Sequence, residues 1–217
     1  MRNTLDPSQV NDMYRLNKYL RVISAVAVLA VLLGCGSSKL DPLPRDGIIL
    51  AFGDSLTVGV GTTSEKSYPA VLGELTGLRV ISSGVSGETT DEGLKRLPQE
   101  LDEIVPDLII IIEGGNDFLQ NRNPSTIKKN IKRMIEISKS RDIQVVLVGI
   151  PQKSLLSKCA PLYKELADEF QLVFDGTLIS SLQRSPSLKS DYVHLNEKGY
   201  RKMAESIYKL LKENGAI

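Results

Sequence analysis

Apolar runs and helix-period segments alternate along the chain from Gly47 onward. Short runs rich in Ile, Val and Leu, without alternating polar residues, are typical of strands covered on both faces of a parallel sheet. These runs lie at residues 48–52, 79–82, 108–112, 145–150 and 172–174. Segments whose apolar residues recur every three or four positions follow them, at residues 68–75, 90–104, 125–140, 162–170 and 197–214.

This alternation of strand and helix predicts the fold class. Residues 47–217 are expected to form one α/β domain, a three-layer α/β/α sandwich around a parallel five-stranded sheet. Ligands of such sheets bind beyond the carboxyl ends of the strands, near the point where the strand order reverses. The loops that follow the strands are therefore the candidates for function.

Composition and charge narrow the functional classes. With 41% hydrophobic and 24% charged residues, the 217-residue chain has an ordinary globular composition, which excludes collagen-like, coiled-coil and wholly disordered proteins. Its formal net charge of +1 argues against nucleic acid as a partner. The chain contains a single histidine, His194, so a site built from several histidines is excluded and any catalytic imidazole must come from this residue.

The N-terminal segment has the features of an export signal. Basic residues precede an uncharged apolar run at residues 22–33, which is too short to cross ~30 Å of hydrocarbon comfortably and fits the apolar region of a signal peptide. The sequence LLGC at residues 32–35 resembles a bacterial lipobox, in which the cysteine is acylated and becomes the mature N-terminus. The alternative is a buried or membrane-spanning apolar helix with an incidental cysteine.

The lipobox resemblance implies three segments and a location. Residues 1–34 are predicted to be a cleaved lipoprotein signal peptide, residues 35–46 the lipidated Cys35 and a tether, and residues 47–217 the folded domain. The protein is then expected in the bacterial cell envelope, on the periplasmic side and anchored to the membrane through Cys35. Gly36 after the cysteine is, by resemblance, compatible with outer-membrane sorting if the cell has one. Met13 is an alternative start, since it leaves a compact basic segment before the apolar run.

Four short motifs occupy the predicted loops. GDSL follows the first strand at residues 53–56, GVSGET follows the second at 84–89, GGND follows the third at 114–117, and DYVH precedes the last helix at 191–194. Each motif alone is weak evidence, because glycine-rich turns are common after strands. Together, in this order and spacing, they resemble the conserved blocks of the SGNH hydrolases, also called GDSL esterases and lipases, across residues 48–210. Within that family they look most like the arylesterase and thioesterase/lysophospholipase branch.

The resemblance implies a flavodoxin-like sandwich and ester hydrolysis without a metal or cofactor. The residues support this chemistry on their own terms. A serine hydroxyl needs a base to take its proton, and an imidazole is suited to this near neutral pH. Ser55 is therefore the predicted nucleophile, His194 the base, and Asp191 the acid that orients the ring. Asp175, after the fifth strand, is the alternative acid.

The remaining roles follow the family or the local sequence. By resemblance, the oxyanion hole consists of the backbone N–H groups of Ser55 and Gly87 and the side-chain amide of Asn116. Asp54 and Asp117 are predicted to cap helices or hold their loops rather than react. Cys159 is predicted to be a free thiol, since no strand-end turn presents it as a nucleophile.

These observations predict a membrane-anchored serine esterase. It is expected to act on small-molecule or lipid acyl esters, or on thioesters, with no cofactor. Two alternatives stay open: a carbohydrate O-acetylesterase, which the low aromatic content of 5% mildly disfavours, and a lipoprotein binding module that uses the pocket without turnover.

Overall fold

A five-stranded sheet forms the centre of the domain. The computed structural model describes residues 40–152 and 159–217. The strands are β1 (Ile48–Gly53), β2 (Arg79–Gly84), β3 (Leu108–Ile112), β4 (Gln144–Val148) and β5 (Val173–Asp175). They pair in parallel, in the order β2-β1-β3-β4-β5. This is the flavodoxin-like order, and it confirms the predicted sheet.

Helices connect the strands. They are α1 (Ser55–Val58), α2 (Tyr68–Thr76), α3 (Thr90–Ile104), α4 (Gly115–Leu119), α5 (Pro124–Lys139), α6 (Pro161–Phe170), α7 (Leu178–Gln183) and α8 (Glu197–Glu213). Short 3₁₀ turns lie at Ser64–Lys66 and Pro186–Leu188. The long helices confirm the segments that the periodicity predicted, to within a few residues.

The strand order distributes the helices between the two faces of the sheet. The chain steps from β1 to β2 in one direction and from β2 through β3 and β4 to β5 in the other. Because crossovers between parallel strands are right-handed, α2 lies on one face and α3, α5 and α6 lie on the other. The contacts agree, since α2 packs against α8 whereas α5 packs against α3 and α6. The result is the predicted three-layer sandwich.

Burial explains the absence of alternation in the strand sequences. All five residues of β3, Leu108–Ile112, are fully buried because helices cover both faces of this central strand. Burying one such side chain stabilises the fold by ~1.5–3 kcal/mol relative to leaving it exposed. By contrast, β2 lies at the edge of the sheet and is mostly only partly buried, as its weaker apolar run indicated.

Short helices occupy two of the predicted loops. α1 follows β1 directly, and α4 follows β3. A four- or five-residue helix is too short to show a 3.6-residue period, so hydropathy cannot reveal it. Local features start both helices. The Asp54 side chain caps α1, and Gly114, with φ +108°, precedes α4. The structure also ends the fourth strand at Val148, two residues earlier than predicted.

The described part of the predicted tether is attached to the domain. The Leu40 backbone N–H donates to Asn214 O at 2.9 Å, and the Leu43 N–H donates to Ala216 O at 2.8 Å. These residues belong to the same compact unit as the rest of the described chain. The predicted signal peptide and Cys35 lie outside the described residues. Among residues 40–152 and 159–217, no helix has both the length and the apolar character needed to cross a membrane.

Candidate active site

The four motifs meet at the carboxyl edge of the sheet. The strand order reverses between β1 and β3, and the loops after these two strands carry Ser55 and Asn116. The loop after β2 joins them through a hydrogen bond from Asn116 Nδ2 to Glu88 O at 2.8 Å. The segment before α8 joins them through His194, which contacts Ser55. The topology therefore brings together residues that lie far apart in the sequence.

Ser55 is held at the start of a short helix. β1 ends at Gly53, and the Asp54 carboxylate accepts the Leu56 N–H at 3.0 Å, which caps α1. Gly59, in the left-handed conformation with φ +86°, ends the helix after one turn. Ser55 is the first residue of α1, so its hydroxyl lies where a buried strand becomes a helix. This position is rigid because both flanking elements are fixed by backbone hydrogen bonds.

Asp191 organises the segment that carries the histidine. Its Oδ1 accepts the backbone N–H groups of Val193 and His194, both at 2.8 Å. Its Oδ2 lies 2.7 Å from His194 Nδ1. Gln183 on α7 donates its side-chain amide to Val193 O at 3.1 Å, which attaches the segment to the domain. The same carboxylate thus folds the turn and orients the ring.

The imidazole links the carboxylate to the serine. His194 Nε2 lies 3.1 Å from Ser55 Oγ, on the side of the ring opposite Asp191. The alternative acid, Asp175, has a different role, because its Oδ1 accepts the Thr177 and Leu178 backbone N–H groups at 2.7 and 2.9 Å. The structure therefore places Asp191, and not Asp175, next to His194.

Asp191, which contacts His194, and Asp54, which precedes Ser55, have opposite pKa shifts. Hydrogen bonds from the His194 N–H, the His194 ring and the Val193 N–H lower the pKa of Asp191 to about 2. Burial raises the pKa of Asp54 to about 6, against the lowering effects of the Leu56 N–H and of His194. Asp191 is therefore ionised at neutral pH and available to stabilise an imidazolium.

The three predicted oxyanion donors differ in whether they already have an acceptor. Asn116 Nδ2 donates to Glu88 O at 2.8 Å and makes a longer contact of 3.4 Å with Asp54 Oδ2. Among the described residues, the backbone N–H groups of Ser55 and Gly87 have no acceptor. Gly87 adopts φ +83°, a conformation that favours glycine. Two predicted oxyanion donors are thus free within the described chain, whereas the Asn116 amide is engaged.

Asp117 connects the second and third motifs. It is fully buried, and it accepts the Thr90 backbone N–H and hydroxyl, both at 2.8 Å. It does not contact the Ser55 hydroxyl. With Asp54 capping α1, both acids have the structural contacts that the sequence predicted for them.

A cleft adjoins Ser55 and opens to solvent. Its volume is about 90 Å³, and the residues that contribute polar groups to its lining are Asp54, Ser55, Asn116, Gln152, Gln183 and Tyr192. Its other walls are mainly apolar: Leu56, Phe118, Leu119, Ile150, Ile179 and Val193. The cleft therefore offers mostly apolar surface beside Ser55.

A buried charged cluster beneath the site was not predicted from the sequence. Glu113 is fully buried, Glu88 is 4% exposed, and Arg96 clamps the Glu88 carboxylate through Nε at 2.6 Å and Nη2 at 2.7 Å. The sequence offers one signal for it, because Glu113 directly follows the wholly apolar β3. A charged residue at that position is unusual, since Glu is almost never fully buried unless paired.

Of the two cysteines, Cys159 lies within the described residues, and it forms no disulfide there. Burial raises the pKa of its thiol to about 12, so the thiol is not ionised at neutral pH. Since the thiolate is the nucleophilic form, Cys159 does not rival Ser55.

The fold and the site together define a class of protein. A serine, a histidine and an acid in a hydrogen-bonded row, at the switch point of a flavodoxin-like sheet, are typical of metal-independent serine hydrolases. The GDSL-like lipase/acylhydrolase family model matches residues 51–202, which is most of the chain. The chain therefore belongs to this family, as the four motifs indicated.

Known proteins support the same family. The arylesterase of Vibrio mimicus is 39% identical over 107 residues, covering 47% of this chain and 54% of that protein. The thioesterase 1/protease 1/lysophospholipase L1 of Escherichia coli is 24% identical over 172 residues, covering 76% of this chain and 83% of that protein. The crystal structure of AlinE4, an SGNH-hydrolase family esterase, matches at 30% identity with a TM-score of 0.62, covering 79% of this chain and 97% of that one. The chain thus spans about half the length of the Vibrio arylesterase, and likewise 53% of esterase TesA of Pseudomonas aeruginosa, to which it is 33% identical over 107 residues.

Proposed function

We propose that this protein is a serine esterase that hydrolyses acyl esters or thioesters. One observation carries the proposal: His194 lies between Ser55 Oγ, at 3.1 Å, and Asp191 Oδ2, at 2.7 Å. Family membership supports ester hydrolysis, and the relatives named arylesterase and thioesterase/lysophospholipase indicate the substrate classes to test.

The first step forms an acyl-enzyme. Ser55 Oγ attacks the carbonyl carbon of the ester while His194 Nε2 takes the hydroxyl proton. Asp191 accepts the His194 Nδ1–H, so it holds the ring in the required tautomer and stabilises the positive charge that forms. His194 then gives its proton to the leaving alcohol, phenol or thiol as the carbonyl re-forms.

The oxyanion that develops on the substrate needs donors. The Ser55 and Gly87 backbone N–H groups are available to it among the described residues. The Asn116 amide is the third donor. Its contact with Asp54 at 3.4 Å is the longer and weaker of its two, so this N–H turns to the oxyanion while the bond to Glu88 keeps the amide in place.

Water completes the reaction. His194 takes a proton from a water molecule, the resulting hydroxide attacks the acyl carbon, and His194 returns the proton to Ser55 Oγ as the acid is released. No other residue is required to titrate in this cycle. The apolar cleft beside Ser55 supports an apolar acyl or leaving group over an acetylated sugar.

Substitution of the nucleophile tests this proposal. Ser55→Ala is expected to lower kcat by about 10⁶-fold with a p-nitrophenyl ester and to abolish labelling by a fluorophosphonate probe. Ser206→Ala is the matched control, because this serine lies on α8 and its hydroxyl bonds only to Lys202 O within the described residues. A Ser55→Ala protein with more than a few per cent activity contradicts the serine mechanism.

A panel of esters resolves the substrate class. We expect p-nitrophenyl acyl esters or acyl thioesters to be hydrolysed with a higher kcat/KM than acetylated xylan or other acetylated sugars. The opposite order favours the carbohydrate O-acetylesterase. A folded protein that binds esters but neither hydrolyses them nor reacts with the probe favours a binding module.

We further propose that the protein is a lipoprotein of the bacterial cell envelope, on the sequence features at residues 22–35. One acyl chain alone binds a membrane only marginally, whereas a diacylated and N-terminally modified cysteine anchors it stably. Cys35→Ser is expected to move the protein from the membrane to the soluble fraction with its esterase activity unchanged. Cys159→Ser is the control and should stay in the membrane fraction. A Cys35→Ser protein that still sediments with membranes identifies the apolar run as the anchor.

A further inference from the structure

One oxygen of the buried Glu113 carboxyl, beneath the candidate active site, needs an explanation. Its side chain is fully buried at the carboxyl end of β3, where Oε2 accepts the Gly114 N–H at 3.2 Å. Its Oε1 is the buried side-chain oxygen that finds no donor within the described residues. A buried carboxylate without a partner is costly, so this oxygen requires an account.

The neighbouring Glu88 carboxylate explains the unpaired oxygen. The Glu113 carboxyl lies within hydrogen-bonding reach of the Glu88 side chain. Glu88 is already held by two bonds from Arg96, at 2.6 and 2.7 Å, which favour its ionised form. Two carboxylates cannot hydrogen bond to each other without a proton. A proton on Glu113 Oε1 turns the orphan oxygen into a donor and completes the contact.

The surrounding charges also favour a neutral Glu113. Among the described residues, the titratable groups around it are Asp54 at the end of β1, Glu88 in the loop after β2, Arg96 on α3 and Tyr163 on α6. If Glu113 were ionised, it and Glu88 would be two buried carboxylates beside one guanidinium, that of Arg96, with Asp54 also nearby. Burial, with Asp54 and Glu88 nearby, raises the pKa of Glu113 well above its usual range.

Glu88 is the residue through which this contact reaches the site. Its backbone carbonyl accepts the Asn116 amide at 2.8 Å. Gly87, whose N–H is a proposed oxyanion donor, immediately precedes it. Arg96 also donates to Ser83 O at 3.0 Å, so one side of the Glu88 carboxylate is tied to the end of β2. Glu113 ties it to the end of β3.

We propose that Glu113 is a positioning residue that carries a proton, donates it in a hydrogen bond to Glu88, and thereby fixes two donors of the oxyanion hole, the Gly87 N–H and the Asn116 amide. This inference rests on the proposed function, because it assigns those donors a catalytic role. Glu113 itself touches no reacting atom. Its effect is to hold the loop after β2 in the geometry that the transition state requires.

Two substitutions at Glu113 separate the effect of losing the hydrogen-bond donor from the effect of changing the packing. Glu113→Gln keeps the size of the side chain and supplies an amide N–H that can donate to Glu88, whereas Glu113→Leu fills a similar volume without a donor. Glu165→Gln is the matched control, since Glu165 is an exposed residue on α6 that pairs with Lys128. All variants are made in the full chain.

The first measurement is the unfolding equilibrium as a function of pH. A neutral Glu113 must lose its proton on unfolding at any pH above the ordinary glutamic acid value of 4.5. The wild type should therefore lose stability relative to Glu113→Gln as pH rises from there, by up to about tenfold in the unfolding equilibrium constant for each pH unit. The difference is expected to level off above the pKa of Glu113 in the folded protein. Parallel pH profiles for the two proteins overturn the proposed proton.

The second measurement is ester hydrolysis. Glu113→Leu should lower kcat by roughly tenfold with little change in KM, because misplaced donors weaken the transition state more than the bound ester. Glu113→Gln should retain most of the wild-type kcat. Wild-type kcat in Glu113→Leu, or equal loss in both variants, overturns the positioning role. If Glu113→Leu does not fold, Glu113→Met, which is also of similar size and lacks a donor, replaces it in the same comparison.

The two proposals fail in different ways. An active Ser55→Ala protein contradicts the serine mechanism but leaves the pH dependence of unfolding in wild type and Glu113→Gln unaffected. Parallel unfolding profiles with an inactive Ser55→Ala protein contradict only the inference about Glu113.

Discussion

Asp191, which contacts His194, and Asp54, which precedes Ser55, show what sets the charge of an acid at this site. The Asp191 side chain is 53% exposed, and three hydrogen bonds lower its pKa to about 2. Asp54 is 4% exposed, accepts one backbone N–H, and has its pKa raised to about 6. The exposed acid is therefore the one that stays ionised over the wider pH range.

This difference teaches that hydrogen-bond donors and solvent decide which of two acids near the histidine stays ionised. A carboxylate that keeps its hydration and gains donors has its ionised form stabilised twice. A carboxylate removed from water must recover that free energy from hydrogen bonds, and Asp54 has too few of them. Asp191 is suited to balance an imidazolium, whereas Asp54 is suited to cap α1 and contact Asn116.

Asp191→Asn is expected to have the largest effect among the variants that test this comparison. We expect kcat to fall by roughly 10³–10⁴-fold, because an amide at this position does not stabilise the imidazolium and can present its own N–H to Nδ1. Steady-state kinetics with a p-nitrophenyl ester measure this effect. Asp54→Asn, made in parallel, should lose far less. If the two variants lose equal activity, the division of roles between the acids is wrong.

Asn116→Ala tests the residue that contacts Asp54 and Glu88. A donor aimed at the oxyanion acts mainly in the transition state, so its removal should lower kcat by roughly 10²–10³-fold, or about 2.7–4 kcal/mol, with KM changing much less. The unfolding midpoint of the same preparation is the control. A near-normal kcat with a depressed midpoint assigns Asn116 a structural role in holding the loop after β2.

Asp54→Asn should change how stability depends on pH. The folded pKa of about 6 lies above the ordinary value of 3.8, so the contribution of protonated Asp54 is fully present below pH 3.8 and is lost as pH rises through 6. The wild type is therefore expected to lose stability relative to Asp54→Asn across this window, as measured by denaturant unfolding. Asn retains an oxygen that can accept the Leu56 N–H. A constant difference between the two proteins contradicts the raised pKa.

The smallest expected effect is that of Asp175→Ala. Asp175 accepts the Thr177 and Leu178 N–H groups and so caps the start of α7, which makes it a test of an acid with no role in the reaction. Its loss should cost about 1 kcal/mol of unfolding free energy and leave kcat close to the wild-type value. A large loss of kcat at unchanged stability would make Asp175 a candidate for the catalytic acid again.

The fold was accessible from the sequence because both faces of the central strands are buried. That burial imposes continuous apolar runs such as β3, and amphipathic helices such as α5 show their period over four turns. The same reasoning failed for α1 and α4, because one turn of helix carries too few residues to show a period. Their starts depend instead on a cap from the Asp54 side chain and on the φ of +108° at Gly114, neither of which produces a hydropathy period.

The site was predictable in its candidate reacting groups and not in the residues that support them. The motifs and the single histidine were enough to name Ser55 and His194 as candidates and to favour Asp191 over Asp175 as the acid. Nothing in those motifs gives Glu113, Glu88 and Arg96 a common role, since their side chains meet only when α3 packs over the ends of β2 and β3. A charge at the end of an apolar strand was the one visible sign.

The sequence alone determined the order of the elements, the family and the identity of the candidate nucleophile and base, because these depend on residue type and on local spacing. The tertiary structure placed Asp191, rather than Asp175, next to His194, showed that the Asn116 amide is held by Glu88, and created the buried charged cluster. Distances across the sheet and the removal of water set these features, and neither is encoded in any short segment of the chain. The charge of an acid such as Asp54 or Glu113 is therefore a property of the fold as much as of the residue.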